Sequence, residues 1–390
     1  MSGESWHNLM LSEEQEMIRE TARKFAEDVL APIAEEIDRA SRFPKDTFGQ
    51  MAELGFLGLP VDDTIGGAGM GHLAYAIALE EFARVCASTA WTLASHLSLC
   101  TNLIASAGSP EQREAFVGPL ASGEVFGAFA LTEREAGSDA ASIATTARVD
   151  GDDYVIDGSK AYVTNANIAG TFVVIARTDA DPEAGAKGLS AFIVAADSAG
   201  MTIEPGPEKL GMRAADWGHV RFDGVRVPAA NRIGAEGEGF VIAMQAIDAG
   251  RVALAAIALG IGQGALERAT QYSQERIAFG KPLVKQQAVL FKLANMQIQL
   301  AASRHLVYHA ARLQEAGGEV RPADAAIAKI TASECAMRCT DEAIQIHGGY
   351  GYVSEYAVER MYRDAKFCEI GEGTNEICRM VVGRSLLDSQ

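Results

Sequence analysis

The chain is poor in basic residues and has no long run of apolar residues. Its 34 lysines and arginines stand against 52 aspartates and glutamates, which gives a formal net charge of −18 at pH 7. A surface of this sign repels phosphodiester backbones and anionic lipids, so we expect no nucleic-acid partner. The most apolar stretch, 252–262, is shorter than the roughly 18 residues that a membrane-spanning helix requires, so we also expect no membrane span.

Six cysteines are scattered along the chain, and no two of them form a C-x-x-C pair. Neither a disulfide framework nor a zinc site shows this pattern, so we expect no bound metal. The N-terminal region carries Glu13, Glu14 and Glu16 and has no basic segment ahead of an apolar core. Secretory signals have such a segment and transit peptides are poor in acidic residues, so we expect a cytoplasmic protein.

Three regions of different sequence pattern follow one another along the 390 residues. Helical periodicity starts at a capping-box sequence, S-E-E-Q from Ser12, and continues through the first third of the chain. Between about 125 and 234, short β-rich runs alternate with Asp-Gly turns, which predicts many short strands. Long helical periodicity then returns over roughly 240–273, 285–315 and 322–346.

This order predicts an α+β protein of three domains. We expect an N-terminal all-helical domain over residues 1–124, a central antiparallel β-barrel-like domain over 125–235, and a C-terminal helical bundle over 236–390. Short strands without helices between them favour an antiparallel barrel or sandwich over a parallel sheet. Long helices with short connections favour an antiparallel bundle.

Several short patterns resemble binding motifs but lack their context. The run 260–265 matches a dinucleotide-binding G-x-G-x-x-A, yet no strand precedes it, so close helix packing is the favoured interpretation. His305 and His309 lie one helical turn apart without a glutamate between them, and Cys335 and Cys339 share that spacing. We interpret both pairs as structural or surface residues. A G-x-S-x-G elbow and a P-loop are absent from the sequence, so serine hydrolysis and P-loop phosphoryl transfer lose support.

Two polar runs carry the residue types of a ligand site. The run 129–139, FALTEREAGSD, places hydroxyls and small residues where helices give way to strands, as a ligand loop or a plain polar loop would. The run 371–376, GEGTNE, places Glu372 between two glycines, where a backbone can turn sharply and approach a ligand closely. A helix C-cap followed by an N-cap would show the same letters. The residues alone leave both alternatives open.

Five separated runs together resemble one protein family. They are FALTEREAGSD at 129–139, YVIDGSKAYVTN at 154–165, RIAFGKPL at 276–283, QIHGGYGY at 345–352 and RDAKFCEIGEGTNEICR at 363–379. In this order and spacing they resemble the acyl-CoA dehydrogenase family, from about residue 11 to residue 387. The resemblance implies a helical domain, a β-domain and a C-terminal four-helix bundle. It also implies α,β-dehydrogenation of an acyl-CoA thioester, with FAD as cofactor and an electron-transfer flavoprotein as acceptor.

Glu372 matches the base that the family uses to remove the α-proton of the thioester. Such a proton is a poor acid, so the reaction needs a positioned base and hydrogen bonds to the developing enolate oxygen. The neighbours of Glu372 offer few polar partners, so we expect burial to raise the pKa of its carboxyl. In the family's second version the base precedes the arginine matched by Arg251, where this chain has Gly250. This combination resembles most straight-chain and several short branched-chain enzymes and differs from the isovaleryl type.

The resemblance also assigns residues to the FAD and substrate sites. Those matched around the isoalloxazine ring are Phe129, Ala130, Leu131, Thr132, Ser138, Tyr162, Val163 and Thr164. Those matched along the rest of the cofactor are Arg276, Phe279, Gln287, Gln345, Ile346, His347, Gly348, Gly349, Thr374, Asn375 and Glu376. Those matched on the substrate side are Ser138, Asp248, Arg251 and the amide of Gly373. Thr164 is expected beside N5, the hydride acceptor, and Tyr162 stands where many relatives have tryptophan. The segments 276–287 and 345–349 match positions that a neighbouring subunit contributes, so we expect a homotetramer.

Two departures from the family pattern concern the walls of the site. Gly371 replaces the tyrosine that many relatives carry before the base, so we expect room for a substituent near Cα of the acyl chain. The stretch 213–217, RAADW, replaces the usual R-x-S-x-T, and we expect Trp217 to pack on the β-domain.

The C-terminal run HGGYGYVSEYAVERMYRDAKF most resembles the isobutyryl-CoA and other short branched-chain members. We therefore expect a short branched-chain acyl-CoA as substrate, in the breakdown of fatty acids or branched-chain amino acids. A butyryl-like straight-chain dehydrogenase is the second expectation. An acyl-CoA oxidase that reacts with oxygen and a non-catalytic acyl-CoA-binding scaffold are further alternatives.

Overall fold

A computed structural model describes residues 11–315 and 321–387 of the protein. The first third is helical, as predicted, with α1 Glu13–Phe25, α2 Ala34–Ala40, α3 Lys45–Glu53, α4 Gly71–Ala83, α5 Ala87–Ala94, α6 Asn102–Ala107 and α7 Pro110–Ala121. α1 begins with the predicted capping box, because the Ser12 hydroxyl accepts from Gln15 N–H and Ser12 N–H donates to Gln15 Oε1. A π-helical turn, Ser95–Thr101, joins α5 to α6.

The central part is a mixed eight-stranded sheet. Its strands are β1 Phe126–Ala130, β2 Thr146–Asp150, β3 Asp153–Thr164, β4 Ala169–Arg177, β5 Leu189–Ala195, β6 Met201–Pro205, β7 Trp217–Pro228 and β8 Arg232–Ile233. The strand order is β6-β7-β3-β2-β4-β5-β8, and β1 also pairs with β4.

The central domain differs from the predicted antiparallel barrel in two respects. Within the described residues the path of strands ends at β6 and β8, so the sheet does not close. β1 runs parallel to β4, with Ala128 opposite Phe172, and β2 meets β4 in parallel where Thr146 lies opposite Arg177. Parallel neighbours are not joined by a hairpin turn, so the Asp-Gly turns in the sequence could not reveal these pairings.

β4 is covered on both faces, and this positions the sheet against the helices. Its segment 172–176, FVVIA, is a continuous apolar run, as expected of a strand that is buried on both sides. Phe172 and Val174 belong to the core within the β-domain, whereas Val173 and Ile175 belong to the larger core shared with the helices. Alternate side chains of one strand therefore join the two cores.

The last third is helical, as predicted. Its helices are α8 Gly239–Glu275, α9 Gln287–Glu315, α10 Pro322–His347, α11 Val358–Cys368 and α12 Asn375–Ser385. The three long helices pack against one another and begin and end within two residues of the predicted bounds. The short strands β9 Ile277–Ala278 and β10 Lys281–Pro282 form a hairpin between α8 and α9.

α8 is the central helix of this bundle. In the described ranges it is the one helix whose length and composition would allow it to cross a membrane. The sequence analysis considered only the shorter apolar run 252–262 and did not predict this. Of its most apolar 18-residue stretch, 67% is buried, as is typical of a core helix. A Cβ on Gly260 would lie 2.2 Å from Glu80 O, and one on Gly264 would lie 2.2 Å from Arg84 O. These glycines permit α8 to pack closely on α4, so the helix-packing interpretation of the run 260–265 is confirmed.

The two other pairs from the sequence also have structural positions. His305 and His309 are exposed on α9, whereas Cys335 and Cys339 are buried in α10 with their sulfurs 3.9 Å apart. In the part of the chain that the structure describes, no group of three His, Cys, Asp or Glu side chains could hold a metal ion.

Candidate active site

A cavity of about 730 Å³ lies where the three parts of the chain meet. The N-terminal helices contribute Trp91, Ser95 and Leu99 to its wall. The sequence-predicted residues that line it are Phe129, Leu131, Thr132, Ser138, Tyr162, Thr164, Arg251, Glu372, Gly373 and Thr374. Residues 129 and 373 are far apart in the sequence, so the fold brings the two polar runs to one site.

Glu372 lies in the loop between α11 and α12, in a strained backbone conformation. Its φ is +55°, a left-handed value that costs about 1–3 kcal/mol for a residue other than glycine. Two buried cations hold the loop: Arg251 Nε donates to Glu372 O at 3.1 Å, and Lys329 Nζ donates to Gly373 O at 2.9 Å. Lys329 Nζ also donates to Asn375 Oδ1 at 2.9 Å, where α12 begins. Glu372 is therefore fixed through its own backbone.

The carboxyl group of Glu372 belongs to a half-buried residue of the cavity wall and has a raised pKa. A Cβ on Gly250 would lie 2.6 Å from Oε2 of Glu372, so only glycine leaves room for the carboxyl at this point of α8. Burial raises the pKa of Glu372 to about 7, while the charges of Arg251 and Lys329 oppose this rise. The predicted effect of burial is confirmed. A carboxylate with this pKa is a stronger base than an ordinary glutamate.

Arg251 connects the substrate side of the cavity to a buried acid. Its Nη1 donates to Asp248 Oδ1 at 2.5 Å, one turn earlier on α8, and both side chains are buried. Arg251 lines the cavity, whereas Asp248 is not among the lining residues. Asp248 therefore orients Arg251 here, and its direct contact with substrate stays a prediction.

The opposite wall carries the residues expected around a flavin ring. The Thr164 hydroxyl accepts from Trp91 Nε1 at 3.2 Å, and a hydroxyl that accepts this bond keeps its hydrogen to donate elsewhere. Tyr162 is 54% exposed, has a φ of +59°, and stacks on Trp217 with ring centroids 5.3 Å apart. The expected packing of Trp217 on the β-domain is thus confirmed, and it contributes to the cavity rim. Flat aromatic surface and hydroxyl groups in a cavity of this size fit a flavin ring.

Ala130 and Val163 do not line the cavity, because their side chains point to the opposite face of their strands. Both belong to the core within the β-domain. Side chains alternate along a strand, so their neighbours Phe129, Tyr162 and Thr164 face the site.

A buried ion pair that the sequence analysis missed supports this wall. Lys160, whose side chain is wholly buried, donates to Leu131 O at 2.9 Å and to Glu133 Oε1 at 2.7 Å. Glu133 in turn accepts from the N–H groups of Ala144 and Thr145 at 2.7 and 2.9 Å. Burial lowers the pKa of Lys160 to about 8, although Glu133 opposes this. The pair holds the loop that follows β1 in one conformation.

The remaining predicted cofactor residues lie outside the cavity wall. Exposed on the surface are Arg276, Phe279, Gln287, Gln345, Gly348, Gly349 and Glu376; buried are Ile346, His347 and Asn375. Phe279 is 94% exposed at the tip of the β9–β10 hairpin, and the Arg276 guanidinium lies 5.3 Å from the Tyr350 ring centre. The two predicted cross-subunit segments are therefore neighbours on one surface, and their contribution to a partner's site stays a prediction.

Among the cavity residues that sequence reasoning did not select, the N-terminal helices contribute Trp91, Ser95 and Leu99. They recur at steps of four on α5 and its π-helical extension, and such steps could have indicated one helical face. This segment is buried on every side, however, so no polar face distinguishes the stripe that meets the cavity.

The room predicted beside Gly371 is absent. A Cβ on Gly371 would lie 2.8 Å from Cζ of Phe367, so the phenyl ring already fills the space. Phe367 precedes Gly371 by one helical turn, and the sequence pattern does not show where its ring points. This corrects the expectation of space for a substituent near Cα.

Comparison with known proteins identifies the family. Residues 12–124, 128–225 and 237–387 match the N-terminal, middle and C-terminal domains of acyl-CoA dehydrogenase, respectively. A short-chain specific acyl-CoA dehydrogenase from Clostridium acetobutylicum is 45% identical over 372 residues, which cover 95% of this chain and 97% of that protein.

Two solved structures have the same fold along nearly the whole chain. Butyryl-CoA dehydrogenase from Megasphaera elsdenii superposes with a TM-score of 0.94 at 42% identity, covering 97% of this chain and 99% of that chain. A chain from a structure of the electron transferring flavoprotein of Acidaminococcus fermentans gives the same TM-score and identity, covering 97% and 98%. The chain therefore belongs to the acyl-CoA dehydrogenase family of FAD-dependent oxidoreductases.

Proposed function

We propose that the protein dehydrogenates a short straight-chain acyl-CoA, such as butyryl-CoA, to the 2-enoyl-CoA, with Glu372 as the base. The observation that carries the proposal is the carboxyl of Glu372, with its pKa of about 7, at the wall of a cavity that is also lined by the flavin-side residues. The names of the similar proteins, short-chain specific and butyryl-CoA dehydrogenase, favour the straight-chain alternative over the branched-chain expectation.

The chain's own groups account for proton removal. The Glu372 carboxylate takes the α-proton, and Gly250 leaves the carboxylate free to reach into the cavity. The developing negative charge on the thioester oxygen needs hydrogen-bond donors. Within the described residues, the N–H groups of Gly373 and Thr374 donate to no protein acceptor, and they lie where α12 begins. A helix N-terminus favours negative charge, so these amides are suited to the oxygen.

The flavin-side wall would hold the cofactor. Phe129, Thr132, Tyr162 and Thr164 are the residues of this chain that would contact the ring, with Lys160 supporting the loop behind them. FAD, when bound, supplies the acceptor for the β-hydride. Removal of the α-proton by Glu372 and loss of the β-hydride leave the carbon–carbon double bond of the product.

We further propose an electron-transfer flavoprotein as electron acceptor and a homotetramer as the assembly. The similarity to a chain from the Acidaminococcus structure supports the acceptor. Exposed aromatic side chains near the predicted cross-subunit segments, Phe279 and Tyr352, support an assembly that covers them. The six cysteines are all free and buried, which suits the reducing cytoplasm that we propose as its location.

Anaerobic titration of the purified flavoprotein tests the proposed reaction. Butyryl-CoA should bleach the flavin absorbance, and isobutyryl-CoA and octanoyl-CoA should bleach it more slowly. Glu372→Gln is the matched control, because it keeps the size of the side chain and removes the base. This variant should retain flavin and bind acyl-CoA without bleaching.

Four outcomes would redirect or overturn the assignment. Bleaching by isobutyryl-CoA in preference would restore the branched-chain expectation. Rapid reoxidation of the reduced enzyme by air would favour an oxidase. A flavoprotein that no acyl-CoA bleaches, or normal turnover by Glu372→Gln, would overturn the proposal.

A further inference from the structure

Phe367 and Gly371 form part of the cavity wall beside Glu372. The Phe367 ring occupies the space that a side chain at position 371 would need. Gly371 N–H donates to Phe367 O at 2.9 Å, so the two residues lie one turn apart where α11 ends. A Cβ on Gly371 would lie 2.8 Å from Cζ and 3.0 Å from Cε1 of Phe367. Real Cβ atoms do not approach neighbouring atoms this closely, so the ring and a side chain at position 371 exclude each other.

The ring of Phe367 is held from other directions as well. It packs against the Trp91 indole with ring centroids 4.7 Å apart and an interplanar angle of 61°. Trp91 is itself buried, and its Nε1 donates a hydrogen bond to the Thr164 hydroxyl. Leu254 closes the same corner, with Cδ2 3.3 Å from the position of a Cβ on Gly371. These neighbours restrict the ring, which is half-buried and faces the cavity.

This ring lies beside the residue that precedes Glu372. Phe367 and Gly371 both line the cavity, and Glu372 follows Gly371 directly. For proton transfer, Cα of the acyl chain must come within hydrogen-bond reach of the Glu372 carboxylate. The Glu372 carboxyl also lies against Gly250 of α8. A Cβ on Gly250 would lie 2.6 Å from Oε2 of Glu372 and 3.0 Å from Cδ2 of Leu99. A branch at Cα therefore meets a wall to which Phe367 contributes an aromatic ring.

We infer that Phe367 is the specificity-determining residue at Cα: its ring, seated over Gly371, admits straight short acyl chains and excludes chains that are branched at Cα. The inference rests on the proposed function, because it concerns the substrate of the same site. It replaces the expectation that the glycine before the base makes room for a branch.

The test compares kcat/KM for butyryl-CoA and isobutyryl-CoA, which differ in branching at Cα, on flavin-loaded enzyme. Phe367→Ala should raise the isobutyryl-to-butyryl ratio about tenfold or more, the usual effect of making room for one methyl group in an apolar pocket. Phe367→Leu should raise it less. Tyr362→Ala is the matched control, because Tyr362 is an aromatic residue of the same helix that is partly exposed and does not line the cavity.

A second comparison tests the packing itself. Gly371→Ala should lower the melting temperature and the butyryl-CoA rate of the wild type, because the new Cβ collides with Phe367. The same substitution should be better tolerated in the Phe367→Ala background, so that the two effects are not additive. Additive effects would contradict the shared space.

The outcomes separate the inference from the proposed function. A ratio in Phe367→Ala within twofold of the wild type overturns the inference while leaving the dehydrogenase intact. If Phe367→Ala does not retain flavin, the isobutyryl-to-butyryl ratio of kcat/KM is measured in Phe367→Leu instead. A ratio within twofold of the wild type then overturns the inference. A wild type that butyryl-CoA does not bleach overturns the proposed function, and the inference falls with it.

Discussion

The reaction rate should depend on pH through Glu372. Only the ionised carboxyl can accept the α-proton, and burial raises its pKa to about 7. With this pKa, roughly one-tenth of the carboxyls are ionised at pH 6 and roughly nine-tenths at pH 8. We therefore expect kcat/KM for butyryl-CoA to rise about tenfold from pH 6 to pH 8 and to level off above it.

Rapid mixing under anaerobic conditions measures this profile as the rate of flavin bleaching at low substrate concentration. Ionic strength is held constant, because Arg251 and Lys329 act on Glu372 through their charge. Phosphate groups of the substrate titrate near pH 6 and affect binding. The affinity of Glu372→Gln for butyryl-CoA is therefore measured over the same pH range. Dividing out its pH dependence corrects the rate profile for the effect of the phosphate groups on binding. A corrected rate that is flat from pH 5.5 to pH 8 would refute the argument from burial.

The same pKa has a consequence for stability. Because the pKa of Glu372 is higher in the folded chain than its ordinary 4.5, the folded state binds the proton more tightly. The stabilising contribution is therefore complete below pH 4.5 and is lost as the pH rises through about 7. The loss amounts to at most about 3 kcal/mol. Glu372→Gln should consequently melt at a higher temperature than the wild type at pH 8, and this difference should vanish near pH 4.5.

Two further substitutions test the surroundings of the base. Lys329→Met removes a positive charge that lowers the pKa of Glu372, so the midpoint of the rate profile should move to higher pH. Lys329→Arg keeps the positive charge and should keep the midpoint. If the role of Lys329 were purely structural, Lys329→Met would lower the rate at every pH without moving the midpoint. Gly250→Ala would place a Cβ 2.6 Å from the Glu372 carboxylate, so we expect at least about a tenfold slower bleaching in a protein that keeps its flavin. Gly49→Ala, with open space around the new Cβ, is the matched control and should bleach at the normal rate.

The secondary structure was largely readable from the sequence, and the pairing of the strands was not. Helical periodicity located α8, α9 and α10 to within two residues, because a long amphipathic or apolar helix repeats its signal over many turns. The capping box at Ser12 is a contact between residues three apart and is equally local. The parallel pairing of β1 with β4 joins residues more than 40 apart, and no local pattern records it.

The chemical residues of the site were predictable for a different reason. Glu372 and the run that follows it stand in one short stretch, and the resemblance to the family depends on such stretches. The roles of the residues around them depend on contacts between distant parts of the chain. Trp91 reaches Thr164, and Lys160 reaches Leu131, through side-chain directions that only a folded chain possesses.

The substrate wall shows this division most clearly. The sequence alone was sufficient to place Glu372 between two glycines, and from the same letters it predicted room beside Gly371. The tertiary structure filled that room with Phe367 and set the carboxyl of Glu372 against Gly250. The order of residues determines which groups are available and how the backbone can turn. Close packing determines which space each side chain occupies, because that depends on neighbours that the local sequence does not contain.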